Sequence, residues 1–229
     1  MTSTPLTISD ISIIIPTLNE ESEVSRWTEL TPWVGEVIIV DGGSSDQTVS
    51  LARSQGLRVE NCRAGRGAQM NHGARQACGK VLLFLHADTR MPPGFAGLIL
   101  QCLNGPATLA GAFSLAIDKA GPGLKFIERC ANLRARLFQL PYGDQALFLR
   151  RDDFLQLGGF PETPIMEDFL FIRKAGKQGR ITILPQAVLT SARRWRRLGI
   201  IRATLINQLV ILGFYAGVPL QKLSALYRR

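Results

Sequence analysis

The stretch Ile11-Ser12-Ile13-Ile14-Ile15-Pro16-Thr17 is a short β-branched run closed by a proline, and Val37-Ile38-Ile39-Val40 is a second, closed by Asp41-Gly42-Gly43. Runs this short and this rich in branched apolar side chains read as strands buried on both faces. Between them, Glu20 to Leu30 has helical character, with acidic side chains in its first turn to complement the helix dipole. The three segments make a βαβ unit, and the pattern continues outward. A helix is expected from about Asp46 to Ser54, a strand near Leu57–Cys62, a helix from about Gly67 to Cys78 and a strand at Val81–Leu85. Regular alternation of this kind predicts an α/β fold with a mostly parallel sheet flanked by helices. Beyond Pro92-Pro93 the rhythm loosens into a helix near Gly94–Leu103, a strand near Gly111–Ile117, a helix near Leu124–Phe138 and a strand at Ala146–Leu149.

With 229 residues, 46% of them hydrophobic, the chain suits one compact catalytic unit with elaborations better than two domains. The formal charge of +9 is unevenly placed: residues 193–229 carry eight basic side chains and no acidic one, which leaves the body nearly neutral. The opening MTSTPLTISD has neither the basic nor the apolar region of a secretory leader, so a cytoplasmic protein is expected. Cys62, Cys78, Cys102 and Cys130 show no CxxC spacing and read as reduced, packed thiols. The apolar stretch Leu198–Val218 is interrupted by Arg202, Asn207 and Gln208, and its longest apolar run falls short of the roughly 20 residues a bilayer requires. That stretch is expected either to pack on the body or on a second copy of the chain, or to lie in a membrane interface beside a lipid-linked acceptor. Packing is the favoured alternative.

In open parallel sheets, ligands bind beyond the carboxyl ends of the strands, so the polar residues after each apolar run are the first candidates. They are Thr17, Asn19, Glu20 and Glu21 after the first run, Asp41 after the second, Arg63 and Arg66 after the third, and His86 and Asp88 after the fourth. Each alone reads more readily as a cap or turn residue; four sets together at one sheet edge point to a site. Ala64-Gly65-Arg66-Gly67 opens a helix, where free N–H groups and the dipole favour phosphate, with Arg66 adding a charged fork. It is neither a Walker loop nor a GxGxxG fingerprint. His86-Ala87-Asp88 places a carboxylate where it suits Mg²⁺ or Mn²⁺ whose other positions are filled by phosphate oxygens.

Together, Ile14-Ile15-Pro16-Thr17-Leu18-Asn19-Glu20-Glu21, Val40-Asp41-Gly42-Gly43-Ser44-Ser45-Asp46-Gln47-Thr48 and the strand ending at Asp88 resemble the successive signatures of family 2 GT-A glycosyltransferases. Gly158-Gly159-Phe160 followed by Glu167-Asp168 is similar to that family's acceptor-side motif. Tyr142-Gly143-Asp144-Gln145 resembles a compact bacterial subgroup, the radical-SAM/selenodomain-associated or arsenosugar-biosynthesis transferases. The resemblance implies a GT-A (Rossmann-like) fold with a helical C-terminal extension: a catalytic domain over 1–197, with a nucleotide-sugar half at 1–90 and an acceptor half at 91–197, and the extension over 198–229. It implies an inverting, non-processive, metal-dependent transfer of a sugar from a nucleotide diphosphate sugar, UDP-sugar favoured, to an acceptor hydroxyl. Pro16, Thr17, Asn19, Glu20, Asp41, Arg66 and Ala87 would contact the donor nucleotide. Asp88 would hold the divalent cation, Mg²⁺ or Mn²⁺. Asp168 would take the acceptor proton, with Glu167 orienting the site beside it. His86 stands where the family usually has a first aspartate. It could be a metal ligand or a donor to the sugar, and is favoured as a partner behind the metal ligand, because imidazole suits Zn²⁺ better than Mg²⁺.

Asp144, Gln145, Arg194 and Trp195 are placed toward the acceptor or behind these groups. Arg193-Arg194-Trp195-Arg196-Arg197 falls where related transferases often carry a segment closing over donor and acceptor. The competing reading, a solvated basic turn, weighs equally. Two rival functions are a sugar-phosphate nucleotidyltransferase and a basic nucleic-acid-binding module. The first needs a glycine-rich basic loop where Thr17–Glu21 is acidic and glycine-free. The second needs an RNP-type motif that the basic tail lacks, so no nucleic-acid partner is expected.

Overall fold

The β-branched run at the start of the chain is the centre of a sheet. In the computed structural model, which describes residues 5–105 and 107–227, β1 (Ile11–Thr17) pairs in parallel with β2 (Glu36–Asp41) on one side and β4 (Val81–Phe84) on the other. Met1–Thr4 of the opening segment, and Arg228 and Arg229 of the basic tail, lie outside the described residues. Strand β3 (Arg58–Asn61) extends the parallel set beyond β2. Along β1 the side chains alternate between two cores. Ile11, Ile13 and Ile15 face a layer made by α1 (Val24–Thr28), α2 (Thr48–Ser54) and, further along the chain, α4 (Phe95–Leu103). Ile14 faces α3 (Arg66–Gln76), α6 (Arg151–Gln156) and α7 (Glu167–Ala175). Both faces are therefore filled, which is why these strands read as unbroken apolar runs. Helix α3 lies so close that a Cβ at Gly73 would come within 2.5 Å of the Ile14 side chain.

The remaining strands are the short β5 (Thr89–Arg90), β6 (Thr108–Ile117), β7 (Phe148–Arg150) and β8 (Arg180–Thr190), and the sheet order is β3-β2-β1-β4-β7-β6-β8-β5. β7 is antiparallel to both β4 and β6, whereas β6 and β8 run parallel. The sheet is thus mostly parallel with an antiparallel insertion. Helix α5 (Pro122–Phe138) follows β6, and the chain ends in α8 (Arg193–Leu198), α9 (Ile200–Tyr215) and α10 (Leu220–Tyr227). One face of α9, with Ile206 and Val210, shares a core with Met166 and Phe169 at the start of α7 and Leu223 of α10. Among the described residues no helix is long and apolar enough to cross a membrane.

Three expectations are corrected. The helix expected over Glu20–Leu30 is a 3₁₀ turn at Glu21–Glu23 followed by the five-residue α1, because the loop around Glu20 and Glu21 bonds instead to Ser44–Thr48. Cys78 and Cys130 are exposed rather than packed, although all four thiols are free. β8 is a long strand absent from the sequence pattern. Pro185 and Gln186 interrupt it, and they fall where its register with β6 jumps from Phe113↔Leu184 to Ser114↔Ala187. The bulge accommodates a residue with no N–H to give to the ladder.

Candidate active site

The carboxyl ends of β1 and β4 and the N-terminus of α3 open into one cavity of about 1850 Å³, bounded on its far side by α5, α7, α8 and α9. Of the residues given a donor, metal, catalytic or acceptor role from the sequence, all line it except Asp41 and Gln145; the Gly158-Gly159-Phe160 turn does not reach it. Asp41 is buried, and its Oδ2 accepts the backbone N–H groups of Gly43 and Ser44 at 2.8 Å each. It shapes the loop after β2. Asn19, in the left-handed region at φ 56, accepts the Ser45 N–H through Oδ1 at 2.8 Å. The loops after β1 and β2 are thereby locked to each other, and Glu20 is carried to the cavity wall. Gln145 is buried and donates to the Phe113 carbonyl at 2.9 Å, so it holds its turn in place while Asp144 lines the cavity.

At the strand ends, Arg193 of α8 reaches Glu20 with two nitrogens, at 2.9 and 2.7 Å, and stands 3.7 Å from Asp88. Burial raises the Asp88 carboxyl above its ordinary value and Glu20 adds to this, while Arg193 opposes it. Two carboxylates facing one guanidinium form an acidic corner. Among the described residues no three Asp, Glu, His or Cys side chains converge as a metal cage. A single carboxylate nevertheless fits Mg²⁺ or Mn²⁺, which binds through one or two carboxylates and completes its shell with phosphate oxygens and water.

Arg66 opens α3 and lies 3.5 Å from the buried Glu167. The Arg66 side chain is half exposed; partial desolvation works against its charge, but Glu167 and Asp168, with Tyr227 and Asp88 adding, outweigh it and hold Arg66 above its usual value. Burial, reinforced by Asp168, pushes Glu167 upward against the pull of Arg66. Asp168, in the first turn of α7, is oriented by two backbone donors: Gly143 N–H to Oδ2 at 2.5 Å and Phe169 N–H to Oδ1 at 2.7 Å. His86 and Asp168 both pack against Gly143, where a Cβ would stand 2.8 Å from His86 Nε2 and 2.9 Å from Asp168 Oδ2 and would push these side chains aside. Burial, followed by the charge of Arg66, depresses His86 well below its ordinary value, so the ring is neutral near pH 7. Arg194 stacks 3.8 Å from the Tyr227 ring, and Trp195 packs beside Leu115, Ile117 and Leu124 at the cavity edge.

Three residues that the sequence reading passed over set this geometry. Gln69 of α3 donates to the carbonyls of Thr17 at 2.9 Å and Val40 at 2.8 Å, tying the ends of β1 and β2 together. The Trp27 indole donates to the Ala87 carbonyl at 3.0 Å, fixing the segment before Asp88. Arg193 was seen only as one arginine in a basic run; the charge of Glu20 and Asp88 singles it out. A polar residue on an otherwise apolar helix face was the signal available for Gln69. A tryptophan in a core position offers none.

The fold is that of the GT-A glycosyltransferases. A mannosyltransferase from Pyrobaculum calidifontis, solved with GDP-Man and Mn²⁺, is similar with a TM-score of 0.64 at 19% identity, over 91% of this chain and 68% of its own. Glucosyl-3-phosphoglycerate synthase from Mycobacterium tuberculosis, with Mg²⁺ and uridine diphosphate, gives 0.60 at 18% identity, over 87% of this chain and 78% of its own. S. aureus TarS 1–349 with UDP-GlcNAc gives 0.60 at 20% identity, over 79% and 58%. The sequence model of glycosyl transferase family 2 matches residues 12–145, more than half of the chain, and the chain belongs to that family. An undecaprenyl-phosphate 4-deoxy-4-formamido-L-arabinose transferase from Pectobacterium carotovorum is 32% identical over 103 residues, 38% of this chain and 31% of the relative. The match thus spans about a third of the relative's length. Family membership favours sugar transfer over the nucleotidyltransferase and nucleic-acid readings.

Proposed function

We propose that this chain is an inverting, non-processive transferase that moves a sugar from a UDP-sugar to an acceptor hydroxyl, and that it belongs to the compact bacterial subgroup its Tyr142–Gln145 motif resembles. The observation that carries this reading is the meeting, in one cavity, of Asp88, Arg66 and Arg193 from the strand-end side with a backbone-oriented Asp168 from α7. Residues 1–90 bind the donor, residues 91–197 present the acceptor, and the segment from 198 closes the far wall. Uridine is favoured because two of the similar structures contain uridine nucleotides, one as UDP and one as UDP-GlcNAc.

Pro16, Thr17, Asn19, Glu20 and Ala87 line the pocket for the nucleoside, and Asp41 holds the loop that shapes it. The acceptor oxygen attacks the anomeric carbon from the face opposite the leaving group. The carbon–oxygen bond to the diphosphate breaks with inversion, and the acceptor proton passes to Asp168. Glu167 keeps Arg66 aimed at the leaving diphosphate, and Arg193 adds positive charge beside it. A divalent cation on Asp88, when bound, supplies Lewis-acid stabilisation of the same diphosphate. Neutral His86 fills the space behind Gly143 and supports Asp168.

The test is Asp168→Asn. Asparagine keeps the size of the side chain but accepts no proton, and it can accept only one of the two backbone N–H groups that the Asp168 oxygens hold. Nucleotide-sugar affinity is expected to stay near wild type while transfer, or slow donor hydrolysis before an acceptor is known, falls roughly 10²–10⁴-fold. Near-wild-type turnover would remove Asp168 from the chemistry.

A further inference from the structure

Helix α9 is apolar on two faces. One, with Ala203, Ile206 and Val210, is buried against α7 and α10. The other carries Ile201, Leu205, Leu209 and Leu212 at helical spacing and is bare, with Ile201 77% and Leu212 64% exposed. Helix α5 repeats the pattern: Phe126, Cys130, Leu133 and Leu137 form a stripe that is likewise uncovered, with Phe126 67% exposed. The two stripes meet at the mouth of the active-site cavity, where Phe126 and Cys130 line one side and Ile201 and Leu205 the other, and a Cβ on Gly123 of α5 would touch Ile200 of α9 at 3.3 Å. An apolar surface of this extent on two neighbouring helices marks a docking site.

The charge around the stripes says what docks there. Lys125, Arg129 and Arg202 are exposed on these helices, as are Arg197 of α8 and Lys222 of α10. Among the described residues of α5, α8, α9 and α10 the single acidic side chain is Glu128, and it is engaged by the Ile117 N–H. A two-fold dimer through this face would set the same basic rim against itself with no carboxylate to answer it. α9, at 16 residues, is too short to span a bilayer but suits lying in one, apolar face down and arginines at the headgroups. We propose that the α5/α9 face seats the chain on an anionic lipid bilayer, so that the mouth of the cavity opens at the lipid surface. The inference stands on exposure and charge and is independent of the transfer reaction.

The experiment is flotation of the whole chain with vesicles of phosphatidylcholine alone or mixed with phosphatidylglycerol, at low and high salt. The chain is expected to float with the anionic vesicles at low salt and to be released as salt rises. The double variant L209E/L212E alters the exposed stripe outside the cavity lining. It is expected to lose binding roughly tenfold or more, while nucleotide-induced thermal stabilisation, which reads the donor site separately, is unchanged. No flotation at low salt, or equal flotation with neutral vesicles, overturns the proposal. So does a light-scattering dimer that L209E/L212E converts to monomer, which would assign the face to a second copy of the chain.

Discussion

Asp144 follows Gly143 in the turn facing Asp168, and its Oδ1 is buried without a hydrogen-bond partner among the described residues. Burial raises its carboxyl from the ordinary 3.8 to about 6; Asp168 adds to the shift, and Arg134 and Arg66 oppose it. The sign of the consequence follows from linkage. Below roughly pH 4 both folded and unfolded chains hold the proton, and Asp144 contributes nothing. Between that point and the raised value only the unfolded chain has lost it, so the folded state is progressively penalised. Above about pH 6 the penalty is complete. Asp144→Asn is therefore expected to raise Tm at about pH 8, with the gain shrinking to nothing near pH 4; the same gain at both pH values would show that Asp144 does not titrate there. In the sequence, Asp144 and Gln145 are selected as a pair by the resemblance of Tyr142-Gly143-Asp144-Gln145 to a transferase subgroup. Their separation into a cavity-lining carboxylate and a buried scaffold amide comes from the 3₁₀ turn, which points consecutive side chains about 120° apart. Likewise, the strand-end rule found Asp41 but could not reveal that its oxygens are already engaged by Gly43 and Ser44.

Helix α3 carries more of the site than its single arginine suggests. Asn71 on its buried face exchanges two hydrogen bonds with Phe160, donating to its carbonyl at 2.8 Å and accepting its N–H at 2.9 Å, much as a neighbouring strand would. This pins the Gly158–Phe160 turn, which leads the chain toward Glu167 and Asp168 at the start of α7. Asn71→Ala leaves two buried backbone groups unpaired, each at a cost of about 1–3 kcal/mol. The expected result is a lower urea midpoint and a loss of transfer larger than the loss of donor affinity. A midpoint equal to wild type would mean that the turn finds other partners. The elements legible in the sequence are the ones buried on both faces: β1, β2 and β4 announce themselves as unbroken apolar runs. β8 does not, because Pro185 splits its pattern and only the long-range pairing with β6 makes the two halves one strand. Nor does the shortness of α1, where Glu21 bonds across to the Gln47 N–H at 2.9 Å in place of continuing a helix.

Across the whole molecule, the proposed reaction draws its donor groups from the first half of the chain, apart from Arg193, and its proton acceptor from the second, so ligand binding should couple the two halves. A nucleotide at a hundredfold excess over its dissociation constant stabilises the folded state by about 2.7 kcal/mol. For a chain of this length each kcal/mol moves Tm by roughly 2–4 °C. UDP with Mn²⁺ is accordingly expected to raise Tm by about 5–10 °C, and GDP, dTDP and CDP by less. Without Mn²⁺ the rise should be smaller, since Arg66 and Arg193 alone then meet the diphosphate. Asp88→Ala should retain that smaller, metal-free rise and lose its enhancement by Mn²⁺. The reason lies in the acidic corner: burial and Glu20 hold the Asp88 carboxyl above its ordinary value, and Asp88 would hold a divalent cation that supplies positive charge to both the carboxylate and the diphosphate. His86→Ala should leave most of the Mn²⁺ enhancement in place, because the neutral ring lies beside Gly143 and Asp168. An equal Mn²⁺-dependent rise in wild type and Asp88→Ala would move the cation elsewhere, and no rise with any of the four nucleotides would remove the donor site altogether.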